Sequence, residues 1–107
     1  MPRLLFLCSR NRWRSPTAEV IFADWPGVET DSAGLSPDAE VVVSSEQIEW
    51  ADKILVMEPE HRARLKRKFG KWRRGKPVVV LGIPDEFPYM DEELVRLLRA
   101  KCAPHLG

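Results

Sequence analysis

Leu4-Leu5-Phe6-Leu7-Cys8-Ser9-Arg10-Asn11-Arg12-Trp13-Arg14-Ser15-Pro16 is the stretch on which the fold turns. A short apolar run stops at Cys8 and gives way to a polar loop, so Arg3 to Leu7 reads as a buried strand. Ser15 suits a helix N-cap, and Pro16 suits the first helical position, where its missing N–H costs nothing. Ala18, Ile21, Phe22 and Trp25 then recur at i, i+3, i+4 and i+7, which predicts a helix from Ser15 to about Asp24 with one buried face. The order is strand, tight loop, helix.

Backbone amides at a helix N-terminus, together with the positive end of the helix dipole, make an anion site. Arg10, Arg12 and Arg14 crowd it. A cysteine in such surroundings is expected as the reactive thiolate. Cys8 to Ser15 thus offers a nucleophile, a fixed cation and a cradle of phosphate size.

Cys8-x5-Arg14-Ser15, with Asn11 three residues after the cysteine and Pro16-Thr17-Ala18-Glu19 following, resembles the signature of the low-molecular-weight protein tyrosine phosphatases. Three further pieces resemble that family in order: Asp31-Ser32-Ala33-Gly34, Ala51 to Met57, and Ile83-Pro84-Asp85. The resemblance covers nearly the whole chain. It implies a phosphomonoester hydrolase in which Cys8 attacks phosphorus and Arg14 grips two phosphoryl oxygens, a task for a planar guanidinium. Backbone N–H groups of Ser9, Arg10, Asn11, Arg12, Trp13 and Arg14 would donate to the remaining phosphate oxygens. Ser15 would support the Cys8 sulfur, and Asn11 and Ser32 would brace the loop. Asn11 also suits a left-handed backbone position.

By position Asp85 matches the family's general acid. The family follows that residue with proline, whereas Glu86 follows here, so Glu86 and, more distantly, Asp91 stand as alternatives. Phe87 and Tyr89 either wall the site or pack the loop down. Arg10 and Arg12 stand where the family commonly has glycine and a residue linked to substrate choice, so a more highly charged phosphate is compatible with the mouth. Trp13 replaces the second cysteine that guards the nucleophile in many members.

Composition bounds the alternatives. With 107 residues the chain is expected to be one domain spanning 1–107, and a hydrophobic fraction of 44% supports one core. Net charge is +1, which gives no global bias toward nucleic acid or membrane. The run before Cys8 is too short for a signal peptide or a membrane span, and the expected location is cytoplasmic. Cys8 and Cys102 suggest neither a disulfide framework nor a zinc site, and no cofactor or metal is implied. An arsenate reductase shares the loop but needs further cysteines to relay a disulfide, and only Cys102 is on offer.

Further along, Val28 to Ser32 reads as a second strand. Val41-Val42-Val43 reads as strand by composition, although the resemblance implies a loop. Ser44 or Ser45 caps a helix to Trp50, and Lys53 to Met57 is a third strand. Glu58-Pro59-Glu60 opens a helix ending near Gly70, Pro77 to Leu81 is a fourth strand, and Asp91 caps a last helix. Alternating strands and helices give an α/β sandwich of three layers. The flavodoxin-like strand order 2-1-3-4 places Cys8 at the topological switch point. The family is typically longer between the third strand and the last helix, so reduced pocket walls are expected.

From Arg62 to Lys76 the chain is strongly basic, with Arg64, Lys66, Arg67, Lys68, Lys71, Arg73 and Arg74 around Trp72. The plain reading is a solvated face. The sharper one is a docking patch for an acidic partner or nucleic acid. His61 and His105 are expected on the surface, and Cys102 inside the last helix's packing. Against the hydrolase stands a non-catalytic module that binds phosphate or nucleic acid through the same loop.

Overall fold

The apolar run that opens the chain forms β1 (Arg3–Cys8) in a computed structural model that describes residues 2–70 and 75–106. Because successive side chains of a strand point to opposite faces, a continuous apolar run needs cover on both. Leu4, Phe6 and Cys8 lie in one core, with Ala18, Phe22, Leu94, Leu98 and Cys102. Leu5 and Leu7 lie in the other, with Ile48, Leu65 and Phe69. Helices α1 (Arg14–Phe22) and α4 (Glu92–Cys102) cover the first face; α2 (Ser45–Trp50) and α3 (Pro59–Phe69) cover the second.

The strands β2 (Glu29–Gly34), β3 (Lys53–Val56) and β4 (Val78–Val80) complete a parallel four-stranded sheet in the order β2-β1-β3-β4. Leu7 pairs with Ala33 on one side and Val56 on the other. This is the expected flavodoxin-like three-layer sandwich. Since α1 and α2 lie on opposite faces, β1 stands at the switch point, and its carboxyl end opens between its neighbours.

Local expectations differ in places. Helix α1 starts at Arg14, with Trp13 at its N-cap making no side-chain capping bond. Ser15 does not cap it, because its hydroxyl is taken by tertiary partners. Pro16 falls at the third helical position, still within the turn whose N–H groups have no helical acceptor. The helix stops at Phe22; Trp25 lies beyond it, 43% exposed and edge-on to Phe22. Val41 to Val43 is a loop with one parallel bridge, Gly34 to Val42, and only Val43 is buried. Ser44 caps α2, sharing reciprocal bonds with Gln47. A short 3₁₀ turn, Ala103–His105, follows α4 and had no sequence signal. No helix among the described residues is long and apolar enough to cross a membrane.

Candidate active site

The loop between β1 and α1 folds around the sulfur of Cys8. Asn11 takes the left-handed conformation, φ 56°, as expected of a residue that tolerates it. This turns its backbone N–H onto Cys8 Sγ at 3.3 Å. Ser15 Oγ lies 3.0 Å from the same sulfur. The Asn11 amide donates to Ser15 Oγ and to Ser32 Oγ, each at 3.0 Å. Ser32 in turn donates to the carboxylate of Glu19. With Asn11 donating to Ser15, the one Ser15 proton is available to the sulfur or to Ala33 O at 3.4 Å. The two donors, Asn11 N–H and Ser15 O–H, suit a thiolate acceptor. Ser15, Asn11 and Ser32 are all buried, so the bracing expected of Asn11 and Ser32 has its contacts. Glu19 ends that chain of bonds.

The loop is also laid against the segment after β2. Leu35, Ser36 and Glu40 donate backbone N–H groups to the carbonyls of Cys8, Ser9 and Arg10 at 3.0, 2.8 and 3.0 Å. Gly34 permits this approach: a Cβ there would sit 2.6 Å from Ser9 O and 3.0 Å from Asn11 N. A methyl group has no room at that point without pushing the anion loop away.

Arg14 is buried although charged, and it is fully engaged on one side. Its Nη1 donates to the Glu58 carboxylate and to Ile83 O, the latter at 2.8 Å. Asp85 Oδ1 lies 3.7 Å from Nε. A buried guanidinium needs such partners, since removing one leaves an uncompensated charge. By sequence Glu58 suits the acidic start of α3; its pairing with Arg14, 44 residues away, carries no local signal.

His61 is a correction. It was expected on the surface and is fully buried. Its Nδ1 accepts the Glu58 backbone N–H at 3.1 Å, which places the ring proton on Nε2, 3.1 Å from Ser9 Oγ. The N-cap and first turn of α3 therefore hold both ends of the anion loop, Arg14 through the Glu58 carboxylate and Ser9 through the His61 ring. Burial pushes the His61 pKa below 6.5, assisted by the Arg14 charge and opposed by Glu58 and Glu60. Below pH 6.5 the unfolded chain binds a proton that the folded chain resists, so stability falls as the pH drops through that window. The melting temperature should therefore fall more steeply below pH 6.5 in the native protein than in His61→Gln, while above it the two curves run parallel. Equal slopes throughout would show that this ring does not titrate on unfolding.

Above the sulfur opens a cleft of about 410 Å³, lined by Cys8, Ser9, Arg10, Arg12, Trp13, Arg14, Ser36 and Asp85. Asn11, Ser15 and Ser32 stand behind it. Of the three candidate acids, Asp85 lines the cleft, Glu86 does not, and Asp91 accepts the N–H groups of Glu93 and Leu94 as the cap of α4. Phe87 packs against the core and Tyr89 is exposed off the cleft, so the aromatic at the mouth is Trp13. Arg10 and Arg12 face Asp38 and Glu40 at 3.9 and 3.4 Å. These side chains are mostly exposed, so such pairs hold them loosely.

The basic stretch is not uniform. Arg62, Lys66, Arg67 and Lys68 are exposed on α3. Arg64 instead reaches Ser9 Oγ at 3.3 Å and Ser36 Oγ at 3.4 Å, beside the cleft. Lys76 donates to the carbonyls of Ile48 and Glu49 near the end of α2. Lys71, Trp72, Arg73 and Arg74 lie outside the described residues. Cys102 is fully buried in the packing of α4, as expected, and burial pushes its thiol up to about 12.

No protein-family model and no curated protein matches the chain. Solved structures do. The phosphate complex of the tyrosine phosphatase Wzb from Escherichia coli K30 is 25% identical over all of both chains, with a TM-score of 0.80. SP-PTP, a low molecular weight protein tyrosine phosphatase from Streptococcus pyogenes, is 19% identical, over 99% of this chain and 91% of that one, with a TM-score of 0.81. The YwlE arginine phosphatase from Geobacillus stearothermophilus is 24% identical, over 99% and 93%, with a TM-score of 0.77.

Proposed function

We propose that this chain, which belongs to the low-molecular-weight protein tyrosine phosphatase family, is a metal-independent hydrolase of phosphomonoesters that works through a phosphocysteine. One observation carries the reading. The sulfur of Cys8 receives a backbone N–H and faces a serine hydroxyl at the base of a cleft that also holds a buried arginine and a carboxylate.

In the first step the Cys8 thiolate attacks phosphorus. The S–P bond forms, the P–O bond to the leaving group breaks, and the Asp85 carboxyl gives its proton to the departing oxygen. In the second step Asp85, now a carboxylate, takes a proton from water as the water oxygen attacks phosphorus. The S–P bond breaks, and inorganic phosphate and the thiolate are restored. Arg14 and the amides of Ser9 to Arg14 hold the equatorial oxygens, where charge builds up. The Ser15 hydroxyl steadies the sulfur as it leaves.

Of the two substrates named among the similar structures, phosphotyrosine fits the rim better. Trp13 offers a face for an aryl ring, whereas the cations of Arg10 and Arg12 would repel the guanidinium of a phosphoarginine. A reduced catalytic thiol suits a cytoplasmic protein.

Hydrolysis of p-nitrophenyl phosphate should persist in excess EDTA, and iodoacetate should inactivate the protein unless phosphate is present. Protection by phosphate without any hydrolysis would turn the reading into a binding module, and loss of turnover in EDTA would end the metal-independent mechanism.

The exposed cations of α3 are offered to an acidic surface of a phosphoprotein substrate. Replacing Arg62, Lys66, Arg67 and Lys68 by glutamine should leave p-nitrophenyl phosphate turnover unchanged and weaken only phosphoprotein turnover, with the difference vanishing at high salt. Arg64 is excluded from that set because it touches Ser9. Equal phosphoprotein turnover at low salt by both proteins would remove the docking role.

A further inference from the structure

We infer that the Thr17 hydroxyl is a clasp that sets the position of Asp85, joining the anion loop to the far end of the acid loop. The inference rests on the phosphatase reading and concerns a residue outside its reacting groups.

Thr17 is fully buried in the second turn of α1. Its hydroxyl donates to Trp13 O, the carbonyl of the last residue of the anion loop. Its oxygen accepts the backbone N–H of Met90 at 2.9 Å. A helical threonine usually satisfies itself by bonding back to the preceding turn. Here the free lone pair is spent on a residue 73 positions away.

Met90 carries a signature of being held. Its φ is 60°, in the left-handed region that a flexible, unbranched side chain rarely takes without help. It is the third residue of a turn closed by Asp91 N–H on Pro88 O at 3.1 Å, a place where glycine or asparagine is usual. Directly after it, Asp91 caps α4. The turn is thus fixed on its α4 side by the cap and on its α1 side by Thr17.

The segment between Ile83 and Met90 needs such an anchor. The Ile83 N–H is tied to Met57 O at 2.9 Å, and Phe87 packs on the core. Asp85 lies between these points with its side chain 59% exposed. Glu86 follows it where a proline would have restricted the backbone. The clasp at Met90 removes freedom from the other end of the same loop. Because the hydroxyl also holds Trp13 O, the acid loop and the anion loop are set against one another through one side chain.

Thr17→Val keeps the shape and deletes both bonds; Thr17→Ser keeps them; Thr17→Ala deletes them without a β-branch. With phenyl phosphate, whose leaving group needs a proton, kcat of Thr17→Val should fall about tenfold, a part of the whole worth of a general acid. With p-nitrophenyl phosphate the fall should be smaller, since its leaving group needs no proton and only the water step is affected, and inhibition by inorganic phosphate should be unchanged. Thr17→Ala should show the same split, and Thr17→Ser should restore native values. The Met90 amide should be protected from hydrogen exchange in the native protein and in Thr17→Ser, and exposed in Thr17→Val. Equal losses on both substrates with weaker phosphate inhibition would mean the hydroxyl serves only the anion loop, and the inference falls. It falls equally if Thr17→Val matches the native kinetics, or if serine fails to rescue. Should the native protein hydrolyse nothing, the phosphatase reading fails, while loss or retention of Met90 protection still decides the clasp itself.

Discussion

Cys8→Ser is expected to lose turnover on every substrate, by roughly 10⁴-fold or more, while binding phosphate about as well as the native protein. The two halves of that outcome have separate causes. An alcohol is almost entirely protonated at neutral pH, and the group beside Oγ in the variant would be Ser15, another alcohol rather than a base. The anion cradle, in contrast, is built of parts the substitution does not touch. The Asn11 conformation is held by its amide bonds to Ser15 and Ser32. Arg14 is held by Glu58 and Ile83. Serine also occupies less space than cysteine and keeps an acceptor for the Asn11 N–H. Kinetics with p-nitrophenyl phosphate and calorimetric titration with phosphate check both halves. A variant that retains a large share of native turnover removes the covalent mechanism; one that is inactive and also fails to bind phosphate while still folded shows that the sulfur, rather than the amides and Arg14, carries the anion affinity.

What could be read from the sequence divides by distance along the chain. β1 was legible because its burial is local: five consecutive apolar or thiol-bearing residues, Leu4 to Cys8, need cover on both faces wherever they lie. The cap of α2 was legible for the same reason, since Ser44 and Gln47 are three residues apart. Ser15 shows the limit of a local rule. Serine before Pro16 is a sound N-cap by propensity, but partners at Cys8, Asn11 and Ala33 compete for its one hydroxyl and win. Glu58 and His61 show the same limit from the other side. Flanked by Glu60 and Arg62, His61 looks solvated; its partner Ser9 is 52 residues away, and that of Glu58 is 44 residues away. The core of the site was legible as a motif because Cys8, Asn11, Arg14 and Ser15 lie within one loop and the helix start. Its supports were not, because they arrive from α3 and from the loop before α4.

Asp85→Asn is expected to slow phenyl phosphate by about 10²–10⁴-fold and p-nitrophenyl phosphate less, because the poorer leaving group alone needs its proton, whereas the lost base for water in the second step slows both substrates alike. The assignment follows from position. Asp85 is on the cleft with Oδ1 3.7 Å from Arg14 Nε, and Glu86 is not among the lining residues. The loop as placed presents Asp85, and not Glu86, to the cleft. Ile83 fixes the approach: its N–H is bound to Met57 O and its own carbonyl accepts Arg14 Nη1, two residues before the acid. Asp85→Asn should accordingly abolish the fall in kcat toward high pH that a protonated acid imposes, as well as the difference between leaving groups. Glu86→Gln should change neither by more than about twofold. Should Glu86→Gln flatten the pH profile and Asp85→Asn leave it intact, the proton comes from Glu86 and the loop must turn over on substrate binding; should both variants keep the native profile, no carboxylate of this loop protonates the leaving oxygen.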